Sequence, residues 1–323
     1  MAAPGSDQPA TALLALDWGT SSLRGACIDA QGKVLEERAF QRGILTVPPG
    51  GFPDVFESCF GDWARAGAQA CLISGMAGSK QGWVEAPYCP CPAGFADVAA
   101  QLQWVTKDIV AAGTAKPGVP LPTAIVPGLS CEHRCDVPGL PTVPDVMRGE
   151  EVQILGAMHL SGWRDGLCIL PGTHSKWAWI RDGRVTTFTS YMTGEFYALL
   201  SQQSLLARTV DAEAAFDAAA FNLGLARARQ GHNLLHNAFG ARTLSLFGRM
   251  QAGPLASYLS GLVIGEEIRT QDVRAAQRIT LIGSQSLTAR YALAFDELGV
   301  PTQRMGAEAT WAGLHALSHH LPD

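Results

Sequence analysis

The stretch LALDWGTSSLRGACID, residues 14–29, ends an apolar run at the carboxylate of Asp17 and continues at once into small residues. Residues 19–22, here called the first turn, read Gly-Thr-Ser-Ser. Glycine lets a ligand approach the backbone and hydroxyls donate hydrogen bonds without bulk, so the turn suits a phosphate, with a plain β-hairpin as the alternative. A carboxylate beside phosphates is repelled unless a cation lies between them. Because one or two carboxylates plus phosphates commonly hold Mg²⁺, the stretch predicts that Asp17 anchors Mg²⁺, directly or through water.

A second copy of this pattern occurs half a chain later in LPGTHSKWAWIRDG, residues 170–183. Residues 172–175, here called the second turn, read Gly-Thr-His-Ser and lie between apolar segments, as the first turn does. One strand–turn–strand unit in each half predicts two related domains that face each other over a cleft and grip a polyphosphate. Leu170 and Pro171 stand where the first copy has Asp and Trp, so one metal-binding carboxylate is expected rather than two.

The composition is that of an ordinary globular protein, with 323 residues, 47% hydrophobic, 16% charged and a formal net charge of −5. This length favours two domains. No cluster of Lys and Arg is present, which disfavours nucleic acid and charged membrane surfaces as partners. The first residues, MAAPGSDQPATA, lack a basic region and an apolar core, so we expect no secretory signal in them. No apolar run reaches the roughly 18 residues of a membrane span. The expected location is therefore the cytoplasm.

Eight cysteines are scattered along the chain, and the motif CEHRC raises the question of a metal site. Cys131, His133 and Cys135 could meet a metal ion, but a fourth ligand at a suitable spacing is missing. Disulfides are not expected in a cytosolic protein. We therefore interpret CEHRC as an irregular loop with free thiols.

The pattern of the remaining segments predicts two mixed α/β halves with a helical insertion in the second. Residues 84–144 hold much of the proline and predict a loop-rich region with one helix around residues 96–112. Helices are expected from residue 194 to about residue 270, where Gly261 and Gly265 permit close helix packing. A last helix is expected near residues 306–320.

Two further segments carry polar residues of interest. In VPDVMRGEE, residues 143–151, Asp145 stands in what reads as the start of a helix, so an N-cap is its first interpretation. In RITLIGSQSLTARY, residues 278–291, Gly283 and Ser284 follow a strand and precede a helix. An adenosine could lie against the backbone there.

Five motifs occur in the order found in the superfamily of sugar kinases, actin and the 70-kDa heat-shock chaperones. DWGTSSLR, ISGMAG, LPGTHSKW, LIGS and RMGAEATWAGL resemble its phosphate 1, connect 1, phosphate 2, adenosine and connect 2 motifs. More narrowly, GMAGSKQGWVEAPY, CPAGFADV, VPDVMRGEE, LPGTHSKWAWI, MTGEFYALL and SYLSGLVIGEEI resemble the 2-dehydro-3-deoxygalactonokinases. The resemblance covers nearly the whole chain.

This resemblance implies an α/β fold of two ribonuclease H-like (actin-like ATPase) domains with an interdomain cleft. The first would span residues 12–160, with the C-terminal helix 306–321 packed back on it, and the second residues 161–305. The implied function is an ATP-dependent kinase that phosphorylates the 6-hydroxyl of 2-dehydro-3-deoxy-D-galactonate in galactonate catabolism. A same-fold kinase for another sugar or sugar acid, or a nucleotide-dependent chaperone-like ATPase, is the alternative. Whether the chain forms a homodimer stays open.

The resemblance also implies roles for individual residues. Asp17 would coordinate Mg²⁺ through water. The nucleotide would be held by Gly19, Thr20 and Ser21 at the phosphates from the first domain, by Gly172, Thr173 and His174 from the second, and by Gly283 and Ser284 along the adenosine. Asp145 sits where the sugar kinases of the superfamily place their catalytic base, and this interpretation replaces the N-cap. For His174, a hydrogen bond within its own turn is the alternative.

A sugar acid brings a carboxylate that needs an Arg or Lys. Arg148 is the first candidate, because a helix would place it on nearly the same face as Asp145. The alternatives are Lys80, Arg24 and Lys176. Glu195 could accept hydrogen bonds from substrate hydroxyls, or it could simply be a carboxylate at a helix start.

Overall fold

The computed structural model describes residues 11–105, 121–135 and 137–321. Among these residues the fold is mixed α/β. The strands are β1 (Leu13–Trp18), β2 (Leu23–Ile28), β3 (Val34–Phe40), β4 (Ala70–Gly75), β5 (Tyr88–Pro90), β6 (Gln103–Trp104), β7 (Thr123–Ile125), β8 (Gly128–His133), β9 (Val143–Met147), β10 (Gly166–Leu170), β11 (Ser175–Arg181), β12 (Arg184–Tyr191), β13 (Ile279–Ile282) and β14 (Gln303–Met305). The α-helices are α1 (Phe52–Arg65), α2 (Phe95–Ala99), α3 (Glu150–Ser161), α4 (Thr193–Ala198), α5 (Ala218–Ala228), α6 (Leu234–Leu246), α7 (Ala252–Arg269), α8 (Gln285–Asp296) and α9 (Glu308–Ser318).

The chain divides into two compact units. Unit 1 comprises Met1–Arg164, Ile180–Thr187 and Ala307–Asp323, and unit 2 comprises Asp165–Trp179 and Phe188–Gly306. Each unit therefore contains a central sheet and its own helices. None of the helices in the described part of the chain is long and apolar enough to cross a membrane.

The main sheet of unit 1 has the strand order β3-β2-β1-β4-β7-β6. The first strand, β1, pairs antiparallel with β2 and parallel with β4, and β4 pairs parallel with β7. Leu13, Leu14 and Leu16 are all buried. Their continuous apolar run follows from this position, because a strand covered on both faces needs apolar side chains on both faces.

Helix α9 packs on α3 within unit 1, and two glycines set the distance between them. A Cβ on Gly156 of α3 would lie 1.8 Å from the carbonyl oxygen of Ala309, and one on Gly313 of α9 would lie 2.0 Å from that of Val152. Any larger side chain would push the helices apart. The two backbones therefore touch at these positions.

The proline-rich region differs from the loop that its composition predicts. Strands β5, β8 and β9 form a separate three-stranded sheet in the order β5-β8-β9. The predicted helix around residues 96–112 is confirmed only at its start, because α2 ends at Ala99 and Gln103 already pairs with β7. Residues 106–112 of that prediction lie outside the described residues. Strand β5 escapes the sequence pattern because it is only three residues long and its partner β8 is distant along the chain. Strand β9 escapes it because Pro144 argues against a strand.

The sheet of unit 2 has the strand order β12-β11-β10-β13-β14. Its third strand, β10, pairs parallel with β13, and β13 pairs parallel with β14. Numbered along the chain within each sheet, both sheets begin with the order third-second-first-fourth, so the first four positions agree. The repeat seen in the sequence is thus a repeat of sheet topology.

Helices α4 to α7 stand between β12 and β13, as the Ala- and Leu-rich pattern predicts. Helices α5 and α7 cross at glycines. A Cβ on Gly224 would lie 2.0 Å from the Tyr258 carbonyl oxygen, and one on Gly261 would lie 2.0 Å from that of Phe221. At Gly265 a Cβ would lie 2.8 Å from a neighbouring side chain. The prediction of close helix packing at these glycines is confirmed.

Candidate active site

The first turn joins β1 to β2, and a later segment of unit 1 supports it from behind. The N–H of Ile44 donates a hydrogen bond to the Gly19 carbonyl oxygen at 3.0 Å. A Cβ on Gly43 would lie 2.3 Å from the backbone nitrogen of Ser21, so only glycine fits there. Thr20 and Ser21 remain exposed. The turn is therefore fixed on one side and open on the other.

The second turn joins β10 to β11 in unit 2 and is supported in the same way. The N–H of Glu195 donates to the Thr173 carbonyl oxygen at 3.0 Å. A Cβ on Gly194 would lie 2.4 Å from the Gly172 carbonyl oxygen. Thr173 and His174 are exposed.

The two supporting glycines were not singled out from the sequence, although a signal exists. Gly43 is the third residue after the end of β3, and Gly194 is the third residue after the end of β12. Each glycine thus comes three residues after the strands that follow the turn it supports. Extending the search for repeats beyond the turns would have found the pair.

Asp17 lies next to the last residue of β1, and Arg24 stands directly opposite on β2. The guanidinium of Arg24 donates two hydrogen bonds to Oδ2 of Asp17, the one from Nε at 3.2 Å. The Arg24 Cζ also lies 5.8 Å from the ring centroid of Trp311. Arg24, a candidate for the substrate carboxylate, is thus paired with the candidate metal anchor. Oδ1 of Asp17 is not used by this pair.

Two glycines lie close to Asp17 where a larger residue would be crowded. A Cβ on Gly75 would lie 3.3 Å from Oδ1 of Asp17, and Gly75 has φ 93°, which favours glycine. Gly149 has φ 106°, and a Cβ there would lie 3.4 Å from the Gly75 Cα and 4.0 Å from Oγ of Ser74. The ends of β1, β4 and the turn before α3 therefore meet at Asp17.

Glu151 is a buried carboxyl group in this region that sequence reasoning missed. Its Oε2 accepts a hydrogen bond from the Gly149 N–H at 2.6 Å. Burial, and secondarily the neighbouring Glu150 carboxylate, raise the pKa of Glu151 to about 8. Oε1 of Glu151 and Oγ of Ser74 are buried, and among the described residues neither has a hydrogen-bond partner.

Asp145 lies in strand β9 and not at a helix start. It stands opposite Cys131 of β8, and its Oδ2 lies 3.3 Å from Nε2 of His133. Its Oδ1 accepts the Val146 N–H at 2.8 Å. The N-cap interpretation is wrong, because the chain stays extended to Met147 and α3 starts only after the turn that follows. CEHRC is only partly a loop, since Cys131 and His133 belong to β8 while the second cysteine follows it outside any strand; neither cysteine forms a disulfide with another described residue.

Arg148 follows β9, so it does not share a helical face with Asp145, as the sequence suggested. Its Nη2 donates to the Ala86 carbonyl oxygen at 2.8 Å, and its Cζ lies 4.3 Å from the ring centroid of Tyr88. Nε and Nη1 are buried and have no partner among the described residues. Lys80 is exposed on the loop after β4.

Glu195 and His174 form a pair in unit 2. Oε2 of Glu195 lies 2.6 Å from Nε2 of His174, and both side chains are partly exposed. The hydrogen bond of His174 therefore reaches α4 and not its own turn. Glu195 lies in the first turn of α4. Lys176 is buried and donates to Oγ of Ser190 at 2.6 Å.

A small cavity of about 50 Å³ opens beside the second turn within unit 2. Gly172 lines it from the turn, Gly194 from α4, Ser260 from α7, and Leu287 and Arg290 from α8. Arg290 Nη1 donates to Oγ of Ser260 at 3.3 Å. Sequence reasoning missed Arg290, because nothing in LIGSQSLTARY marks it.

Gly283 and Ser284 lie close to the second turn. A Cβ on Gly283 would be 3.4 Å from the Pro171 carbonyl oxygen, and Ser284 directly precedes α8. The structure therefore brings the predicted adenosine residues to the second turn.

Comparison with known proteins decides the family. A family model described as 2-keto-3-deoxy-galactonokinase matches residues 17–317. The chain belongs to this family. A Rhizobium meliloti (strain 1021) protein assigned as 2-dehydro-3-deoxygalactonokinase is 35% identical, over 95% of this chain and 96% of the relative. The 2-dehydro-3-deoxygalactonokinase of Escherichia coli (strain K12) is 32% identical, over 95% of this chain and 97% of the relative.

A solved structure of a Sinorhizobium meliloti protein, also assigned as 2-dehydro-3-deoxygalactonokinase, agrees with this membership. It is 35% identical, has a TM-score of 0.80, and the alignment covers 95% of this chain and 98% of that one. As a member of the 2-keto-3-deoxy-galactonokinase family, the chain is a kinase of sugar metabolism. The resemblance read from its motifs is confirmed.

The candidate residues of this 2-keto-3-deoxy-galactonokinase family member fall into two sets. Unit 1 holds Asp17, Gly19, Thr20, Ser21, Arg24, Lys80, Asp145 and Arg148, and unit 2 holds Gly172, Thr173, His174, Glu195, Gly283 and Ser284. The described parts of the chain contain no group of three or more His, Cys, Asp or Glu side chains that could hold a metal ion.

Proposed function

We propose that this protein transfers the γ-phosphoryl group of ATP to the 6-hydroxyl of 2-dehydro-3-deoxy-D-galactonate, giving 2-dehydro-3-deoxy-6-phosphogalactonate. The match of residues 17–317 to the 2-keto-3-deoxy-galactonokinase family carries this proposal. In the reaction the 6-oxygen bonds to the γ-phosphorus, the bond from that phosphorus to the bridging oxygen breaks, and ADP leaves with the electron pair.

For the fold, we propose that units 1 and 2 are two actin-like ATPase domains of ribonuclease H-like topology. The shared order of the first four strands in both sheets supports this. The supporting glycine behind each turn adds a second point of likeness. The expected division is residues 12–160 together with helix 306–321, and residues 161–305.

For the nucleotide, both turns would bind the phosphates of ATP through backbone N–H groups and exposed hydroxyls. The exposure of Thr20, Ser21 and Thr173 supports this role. The cavity beside the second turn would admit part of the nucleoside, with Gly283 and Ser284 along it. Arg290 would then lie against the adenosine.

The residues beside the first turn fit a Mg²⁺ ion. The donors there are oxygens, which a hard cation prefers, and the buried Glu151 Oε1 and Ser74 Oγ have no partner among the described residues. Both bonds from Arg24 go to Oδ2 of Asp17, so Oδ1 could hold a metal-bound water. Mg²⁺, when bound, neutralises charge on the transferred phosphoryl group.

Asp145 is proposed as the general base. Phosphoryl transfer needs little covalent help from a protein, but a carboxylate must accept the proton of the attacking hydroxyl. The hydrogen bonds from Val146 N–H and with His133 hold the Asp145 carboxylate in one orientation. The proton of the 6-hydroxyl goes to this carboxylate as the new P–O bond forms.

Several cationic side chains are candidates to bind the carboxylate of the sugar acid. Arg148 is fixed on Ala86 and Tyr88, and Arg24 is paired with Asp17, so both are anchored by other groups. Exposed Lys80 is held by no ion pair among the described residues. We propose Lys80 as the first candidate to contact the sugar acid, with Arg148 fixing the loop that carries it. Glu195 would accept hydrogen bonds from substrate hydroxyls.

A substrate panel tests the proposed function. ADP release is measured with 2-dehydro-3-deoxy-D-galactonate, with its gluconate-derived epimer, with hexoses and with an amino sugar. The galactonate-derived acid should give the highest kcat/KM, and its product should carry phosphate at O6. Strong ATP hydrolysis without any acceptor, or faster phosphorylation of a hexose, would contradict the proposal.

A further inference from the structure

Glu267, near the end of α7, is a buried carboxylate that collects four hydrogen bonds. Its Oε2 accepts from Oγ of Ser175 at 2.9 Å, from the Tyr291 hydroxyl at 2.7 Å and from the Thr193 hydroxyl. Its Oε1 accepts from the indole N–H of Trp177. All four donors are side-chain groups of unit 2.

The donors belong to the elements that carry the nucleotide residues. Ser175 is the last residue of the second turn, and Thr193 directly precedes the glycine that supports this turn. Tyr291 lies on α8, the helix that follows Gly283 and Ser284. Thr193 and Tyr291 also line the cavity beside the turn. One side chain therefore joins the turn, its support and the adenosine helix.

The chemistry of the cluster requires an acceptor at this point. An indole N–H can only donate, and a carboxylate offers lone pairs on both oxygens to meet four donors. Burial raises the pKa of Glu267, and the four hydrogen bonds oppose this effect because they stabilise the charged form. A group without two acceptor oxygens would leave buried donors unsatisfied.

Packing of the core around Glu267 does not by itself require a charged side chain. Ile264, Ile268 and Phe295 are among the apolar core residues of this part of unit 2. An apolar residue in place of a buried charge is often neutral or stabilising when its partners are apolar too. Here all four partners are polar and come from three separate elements. Three of the four partners, Ser175, Thr193 and Tyr291, lie in the second turn, next to the glycine that supports it, or along the cavity beside it.

We propose that Glu267 is a positioning residue for phosphoryl transfer, which fixes the second turn, its supporting segment and α8 in the arrangement that binds ATP. This rests on the proposed function, because it assigns ATP phosphates to the second turn. Glu267 itself touches no substrate. It acts through Ser175, Thr193 and Tyr291.

The test is ATP binding measured by titration calorimetry, together with thermal unfolding and steady-state kinetics. Glu267→Gln keeps the shape but turns an amide N–H₂ towards donors. ATP affinity should fall about tenfold, which corresponds to the free energy that one good hydrogen bond contributes. The KM for ATP should rise more than the KM for the sugar acid.

A matched control lies on the same helix. Ser257 is buried, its Oγ accepts the Asp217 N–H at 2.9 Å, and it is not among the residues that line the cavity beside the second turn. Ser257→Ala should lower the melting temperature and leave ATP affinity unchanged. If Glu267→Gln lowers the melting temperature while ATP binds as to the wild type, the positioning role is overturned.

A milder variant covers the case in which Glu267→Gln does not fold. Tyr291→Phe removes one donor and leaves three, so ATP affinity should fall by about two- to fivefold without loss of the fold. Unchanged affinity in Tyr291→Phe would then overturn the proposal. A wild-type protein that binds no ATP would instead contradict the proposed function itself, which separates the two failures.

Discussion

Nε2 of His133 lies 3.3 Å from Oδ2 of Asp145, and the two residues stand on the antiparallel strands β8 and β9. They are diagonal neighbours, because Asp145 pairs directly with Cys131. The register of a short sheet, rather than a helix cap, therefore orients the proposed base.

Replacing Asp145 tests this assignment. Asp145→Asn keeps the size and the hydrogen-bonding partners of the side chain but cannot accept a proton from the 6-hydroxyl. The kcat should fall by about 10²- to 10⁴-fold, the range typical of proton-transfer groups. Steady-state kinetics give this ratio. Calorimetry should show ATP binding within twofold of the wild type, and a kcat near the wild-type value would exclude Asp145 as the base.

Asp17 is expected to govern the need for Mg²⁺. Asp17→Asn removes the charge while Oδ1 remains, so the Mg²⁺ concentration for half-maximal rate should rise at least about tenfold. Without Mg²⁺, ATP should bind the variant at least as tightly as the wild type, because one negative charge beside the phosphates is gone. Titration of the rate with Mg²⁺ measures the first effect, and an unaltered titration would speak against a metal at Asp17.

Glu151 is expected to make stability depend on pH. Its pKa is raised to about 8 in the folded state, so between its ordinary value and pH 8 the folded protein holds one proton more than the unfolded chain. The free energy of unfolding contributed by this group therefore falls as the pH rises through that window. Relative to the wild type, Glu151→Gln should gain on the order of 3 kcal/mol between pH 5 and pH 8.

Urea unfolding at both pH values measures this gain. Glu150→Gln is the matched control, since it changes a neighbouring carboxylate that is less buried. The control should keep most of the wild-type pH dependence. An equal pH dependence in wild type and Glu151→Gln would mean that Glu151 is already ionised in the folded state.

The crossing of α5 and α7 gives a prediction about stability alone. Gly261→Ala places a methyl group where a Cβ would be 2.0 Å from the Phe221 carbonyl oxygen, so the helices must separate. A loss of about 1–3 kcal/mol is expected, as for other overpacked sites. Gly240→Ala in α6 is the control, because its Cβ would meet only the Tyr258 hydroxyl at 3.7 Å. The control should be neutral or more stable by up to about 1 kcal/mol.

Denaturant unfolding of both alanine variants measures the difference in their free energies of unfolding. If Gly261→Ala is as stable as Gly240→Ala, the close approach of α5 and α7 is not required for stability.

Local signals were enough to predict the two turns and their strands. An apolar run followed by Gly-Thr and a hydroxyl can be read directly, and its second copy at Gly172 strengthens it. The sheet that holds Asp145 could not be predicted, because β5 is short and pairs with the distant β8, and because Pro144 hides β9. The strand register that sets Arg24 against Asp17 is also invisible without the fold.

The hydrogen-bond partners of buried polar side chains were the second feature that the sequence could not predict. Glu267 takes its donors from positions that lie 24 to 92 residues away along the chain. No spacing rule connects them, since they come from three different elements. Only packing shows that Glu267, near the end of an apolar helix, accepts four hydrogen bonds beside the second turn.

The contact between α3 and α9 bears on how the chain folds as it is made. Unit 1 needs α9, whose Gly313 lies against α3, and α9 is the last helix in the described chain. Every element of unit 2 leaves the ribosome before it. Unit 1 therefore cannot complete its core until all of unit 2 has been made, and until then the α3 surface that receives α9 stays uncovered.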